Sequence, residues 1–173
     1  MVAMDDGRDD ERGEGRDDGM DDVVLRPIGT VRGGRSEPTD DSWDAETCTI
    51  ELHRDRFGPD SLAGLGDFSH VEVVYLFDGV EEADVVVGAR RPRGREDWPL
   101  VGIFAQRGRV RPNRLGVTVC RLLSVEGLEV TVQGLDAIDR TPVLDLKPYL
   151  RGFAPRGVVT EPAWATEIMA AYW

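Results

Sequence analysis

The chain has 173 residues, 40% of them hydrophobic, and a formal charge of −12. That is enough apolar material for one ordinary core and too little for two. No apolar run reaches the length of a membrane span and the charged amino terminus lacks the apolar stretch of a secretory signal, so a cytoplasmic protein with no membrane partner is expected.

Residues 1–22 hold ten acids against Arg8, Arg12 and Arg16, which places −7 of the net charge in this stretch. Dense like charge with few apolar groups cannot offset the entropy of ordering, so the segment reads as a disordered acidic tail ahead of one folded domain, residues 23–173. Lys147 is the sole lysine beside twenty arginines. A GC-rich genome and an acidic, salt-adapted surface both account for that bias, and the abundant aspartate favours the second.

A first strand is predicted over residues 23–31, closed by Gly33 and Gly34. Loop composition follows over 35–44, then period-two alternation over 47–53 and at most a turn or two of helix over 60–66. Residues 71–77 form a nearly continuous β-branched and aromatic run that suits a strand in a closed barrel or one buried on both faces. A short companion strand is predicted at 85–87. Cys48 and Cys120 lie within strand-like apolar patterns and read as buried free thiols. His53 and His70 have no metal-type spacing, so no metal site is expected.

Residues 88–114 contain eight arginines against Glu96 and Asp97, a local charge of +6. Within them runs GIFAQRGRVRPNRLG, residues 102–116, where Arg107, Arg109 and Arg111 alternate. On a strand those three guanidinium groups would share a face and could fork onto carboxylate or phosphate oxygens. Residues 115–123 and 128–132 flank a turn as a hairpin does. The segment GLDAIDRTPVLDLKPY, residues 134–149, offers Asp136, Asp139, Asp145 and Lys147 from backbone that Pro142 and Pro148 restrict to edges and turns. The one convincing helix is 162–173, with Pro162 in its first turn and Trp164, Ile168 and Tyr172 four apart. The pattern as a whole predicts a mainly β protein, a single antiparallel barrel or sandwich with a short C-terminal helix. Glycine-rich dinucleotide or P-loop fingerprints and a G-x-S-x-G elbow are missing from the sequence, which argues against Rossmann, P-loop and common hydrolase chemistry.

The blocks FSHV (68–71) with VVYLF (73–77), GIFAQR with RPNRLG, GLD with TPVLDLKPY, and the opening PIGTVR (27–32) together resemble the TrmO (TsaA-like) family over about residues 25–155. The resemblance implies a β-barrel methyltransferase that uses S-adenosylmethionine, works as a homodimer and acts on N6-threonylcarbamoyladenosine next to the anticodon of a threonine tRNA. Cofactor contacts are then expected at Phe77, Arg107, Leu115, Gly116, Val117, Gly134, Leu135 and Asp136. Asp78 stands where the family commonly has histidine, and Arg140 where Asp-Gly-Thr-Pro is usual. Arg107 suits the methionyl carboxylate or a backbone carbonyl, and Asp136 or Asp78 the ammonium or a ribose hydroxyl; Phe77 or Phe104 suits the sulfonium. Asp145 is the expected base for the N6 proton, with Lys147 and Tyr149 positioning it. Arg109, Arg111 and Asn113 are expected at the substrate, and Arg90, Arg91, Arg93 and Arg95 at stem phosphates. A non-catalytic S-adenosylmethionine-binding module and a barrel methyltransferase for a small molecule remain as alternatives.

Overall fold

The computed structural model describes residues 22–173; the tail expected at 1–22 lies, except for Asp22, outside the described residues. The strands are β1 (Gly29–Arg32), β2 (Thr47–Leu52), β3 (His70–Leu76), β4 (Ala89–Arg90), β5 (Val101–Gly102), β6 (Leu115–Glu126), β7 (Glu129–Gln133) and β8 (Pro142–Pro148), followed by the helix α1 (Ala163–Met169). Six of them close into an antiparallel barrel in the order β1-β2-β7-β6-β3-β8, with β8 pairing back onto β1. β4 and β5 form a separate two-stranded ribbon.

Period-two alternation explains the barrel. Successive side chains of a strand point to opposite faces, so one set fills the interior and the other meets solvent. Val31, Ile50, Val71, Val73, Tyr75, Cys120, Val130, Val132 and Val143 make that interior, all at most 1% exposed. Closure leaves no unpaired sheet edge among these six strands. Register shifts between Val74 and Tyr75 against β8, and between Leu122 and Ser124 against β7, supply the local bends that closure needs. Gly116 faces Tyr75 directly across β3 and β6. A Cβ there would lie 2.3 Å from the tyrosine ring, so the missing side chain is what lets the ring lie across the strand.

Several expectations change. Of the first predicted strand, 23–31, only residues 29–31 fall within β1, and 85–87 are not a strand; the nearby pairing belongs to β4 with β5. Residues 106–114 form a loop, so Arg107, Arg109 and Arg111 do not share a strand face. In contrast, 142–148 is a barrel strand, with its two prolines at its ends, where a missing N–H is tolerated. Pro162 caps α1 rather than entering it, and the helix stops at Met169, three residues before Tyr172. Cys48 and Cys120 are free and buried, as expected. Burial, and then Glu46, pushes the Cys48 thiol up to about 12.

Candidate cofactor site

Asp136 follows β7 by three residues and is the hub of a hydroxyl cluster at one end of the barrel. Tyr75 and Thr118, which point inward from β3 and β6, both donate to its Oδ1, Tyr75 at 2.8 Å. Tyr172, arriving from beyond α1, donates to Oδ2. Burial first, and then the Asp136 carboxylate, raises both phenols above their ordinary range. All three partners of the carboxylate are neutral hydroxyls, and no ion pair among the described residues satisfies its charge. A half-buried carboxylate so arranged is suited to a cationic ligand group.

Arg107 extends from the 106–114 loop and donates from Nη2 to the Val117 carbonyl at 2.5 Å, one residue before Thr118. It also lies near enough to Tyr172, as does Arg93, to oppose the upward push on that phenol. Arg107 and Asp136, from separate sequence blocks, therefore stand at the same end of the molecule. Phe77 packs edge-on against Tyr75, with centroids 5.3 Å apart. Leu115, Gly116 and Val117 open β6 beside this cluster, and Gly134, at φ +81°, turns the chain toward Asp136. Leu135 points into the core at 2% exposure, so its backbone rather than its side chain is available. Asp78 is exposed and its amide closes a tight turn onto Leu76. Phe104 is 78% exposed.

Three segments converge above the hub. Arg93 forks onto Asp41, with contacts of 2.7 and 3.1 Å, which joins the arginine loop to the 35–44 loop. Ser42 and Trp43 donate to the Ala171 and Tyr172 carbonyls, each at 2.9 Å. Buried Trp98 donates from Nε1 to Glu167 at 2.7 Å. Tyr172 was expected only on one face of the C-terminal helix, and Thr118 and Tyr75 were not singled out. Nothing near Tyr172 in the sequence signals its partner, which lies thirty-six positions away.

The other expected residues lie apart from this hub. Asp145 and Lys147 pair with each other on β8 and sit opposite Val74 and Glu72, outward-facing positions of β3. The Tyr149 amide donates to the His70 carbonyl at 3.0 Å, which continues that outer face. Arg111 donates to the Gln106 carbonyl at 3.2 Å; Arg109 and Asn113 are exposed. Arg91 is engaged by the Trp98 carbonyl and Arg95 by Asp97. Among the described residues no group of three or more His, Cys, Asp or Glu could hold a metal ion, and no helix is long and apolar enough to cross a membrane.

A closed six-stranded barrel with an uncompensated carboxylate and a guanidinium at one end places the chain among β-barrel proteins, distinct from the doubly wound nucleotide-binding folds. Residues 35–154 match the family model described as the tRNA-methyltransferase O N-terminal domain, and the chain belongs to that family. It is 39% identical over 93 residues to the Mus musculus tRNA (adenine(37)-N6)-methyltransferase, covering 54% of this chain and 21% of that protein. A probable S-adenosyl-L-methionine-binding protein of Pyrococcus abyssi is 32% identical over 142 residues, 78% of this chain and 72% of that one. The crystal structure of TrmO from Pseudomonas aeruginosa superposes with a TM-score of 0.67 at 27% identity, over 84% of this chain and 62% of that one. The chain thus spans about a fifth of the mammalian relative and under two thirds of the bacterial structure.

Proposed function

We propose that this chain transfers a methyl group from S-adenosylmethionine to N6 of an adenine in tRNA, the finer acceptor being N6-threonylcarbamoyladenosine beside the anticodon of a threonine tRNA. The observation that carries the reading is the meeting of Arg107 and Asp136 at one barrel end in a chain of this family. The donor set fits the cofactor. Asp136 lacks a cationic partner and suits an ammonium, Arg107 retains N–H groups for a carboxylate, and the aromatic pair Tyr75 and Phe77 lies close by.

When bound, the cofactor supplies an electrophilic methyl group on a sulfonium. The chain's contribution to an in-line transfer is orientation and exclusion of water. The hydroxyls of Tyr75, Thr118 and Tyr172 fix the Asp136 carboxylate, and the Val117 carbonyl fixes Arg107. A urea-like N6 is a weak nucleophile, so a base that accepts its proton assists. Asp145 is assigned that role, with its ion-pair partner Lys147 and with Tyr149 helping to position the acceptor. We further propose a cytoplasmic homodimer, as the family resemblance implies.

Purified protein, labelled S-adenosylmethionine, and threonylcarbamoylated or unmodified tRNA test the proposal. Label is expected in the modified tRNA alone. Cofactor binding without transfer to any tRNA would instead establish a binding module.

A further inference from the structure

The outer face of the barrel carries a row of polar side chains that the cofactor site does not use. His70 on β3 lies directly opposite Arg121 on β6, and Arg121 directly opposite Gln133 on β7. Directly opposed residues share a sheet face, and the neighbouring Val71, Cys120 and Val132 point inward, so these three point outward together. Asp44 and Trp173 rise beside the row and complete a cleft of about 410 Å3, which also takes in Val119 and Gly134. That volume falls within the roughly 300–1,000 Å3 of small-ligand sites.

The groups in the cleft retain free valences. Arg121 makes no hydrogen bond or ion pair among the described residues, although carboxylates abound in this acidic chain. His70 engages Ser69 through Nδ1, which leaves Nε2, and Gln133 engages the Asp44 carbonyl through Nε2, which leaves Oε1. Trp173 is half exposed and stands edge-on to Tyr172, with centroids 4.9 Å apart. Tyr172 in turn holds Asp136, so the indole is one residue from the hub of the cofactor site. An exposed indole is a stacking platform for any base, and a free guanidinium beside it forks onto a carboxylate.

We propose that this cleft receives the methyl acceptor as one unstacked purine with an acidic substituent: the base lies on Trp173, the acid on Arg121 with His70 beside it, and Asp44 accepts the N–H groups of the substituent. The inference rests on the methyltransferase reading and names the acceptor subsite within it. Gly134 lies in the cleft two residues before Asp136, which puts acceptor and donor sites side by side. The outward row continues through Tyr149 toward the face that bears Lys147 and Asp145.

The test titrates the full chain with free N6-threonylcarbamoyladenosine and with adenosine, following Trp fluorescence and heat, and measures S-adenosylmethionine affinity in parallel. The acidic nucleoside is expected to bind at least tenfold more tightly than adenosine. Arg121→Ala should erase that preference while cofactor affinity stays within twofold, Arg121→Lys should keep part of it, and Trp173→Ala should weaken both nucleosides alike. An unchanged preference in Arg121→Ala overturns the proposal, as does failure of the wild-type chain to bind either nucleoside. An altered mass by light scattering with unaltered nucleoside binding also overturns it, by marking the face as a contact between copies. A wild-type chain that prefers the acidic nucleoside yet binds no S-adenosylmethionine would remove the methyltransferase reading and leave the cleft assignment standing.

Discussion

Arg140 sits at φ +71°, in the left-handed region that costs a side chain about 1–2 kcal/mol. Its amide is needed there to donate to the Val31 carbonyl at 2.8 Å, so the turn cannot simply relax. Its guanidinium is 83% exposed and meets Asp139 only at 3.6 Å, too little to offset the strain. Arg140→Gly should therefore raise the unfolding free energy by about 0.5–1 kcal/mol, measured by denaturant titration, once the greater freedom of glycine in the unfolded chain is set against the relief. Tyr75, Tyr172, Cys48 and Cys120 all hold their protons more tightly when folded, chiefly because burial disfavours the ionised form. Raised folded values mean that this stability is complete at neutral pH and declines once the unfolded chain begins to ionise, from about pH 9 for the thiols and pH 10 for the phenols. Melting temperature should fall along that window, and Tyr172→Phe should flatten the decline above pH 10 while costing about 1.5 kcal/mol at neutral pH through the lost bond to Asp136.

At the scale of elements, α1 has only seven residues and cannot hold itself together in water. What fixes it is tertiary: Trp98 to Glu167 on one side, Ser42 and Trp43 to the Ala171 and Tyr172 carbonyls on the other. Glu167→Ala leaves the buried Trp98 N–H without a partner, at a cost of about 1–3 kcal/mol. Hydrogen exchange should then quicken at the Ser42 and Trp43 amides while the barrel strands keep their protection. The strands of the barrel were legible because alternation is local: 47–52 and 70–76 show in their own residues which face is buried. The arginine loop was not, because each partner is remote. Arg93 finds Asp41 fifty-two positions away and Arg107 finds a carbonyl of β6, and neither contact has a signature near the arginine. β8 was misread for the opposite reason: its prolines suggested loop, yet they fall at the two ends where pairing does not need their N–H. Asp136 and Arg107, which the structure brings to one barrel end, lie within the family's motifs, whereas Tyr172 lies beyond the matched residues 35–154.

For the whole molecule, charge decides how an RNA partner could be held. The local +6 of residues 88–114 overstates the free cation, since Arg91, Arg93, Arg95, Arg107, Arg111 and Arg114 are each engaged within the protein. Arg90 and Arg109 remain in that segment. Two phosphate contacts at about −0.7 each predict a slope near −1.4 for log affinity against log salt. Filter binding across a salt series checks this, and a slope beyond about −5 would mean that RNA pulls the paired arginines from their present partners. The placement of Trp173 also ties two parts of the surface together. Because its indole walls the cleft while its neighbour Tyr172 grips the hub aspartate, any occupant that tilts the ring tugs on the carboxylate beyond it, and the two ends of that short lever answer each other.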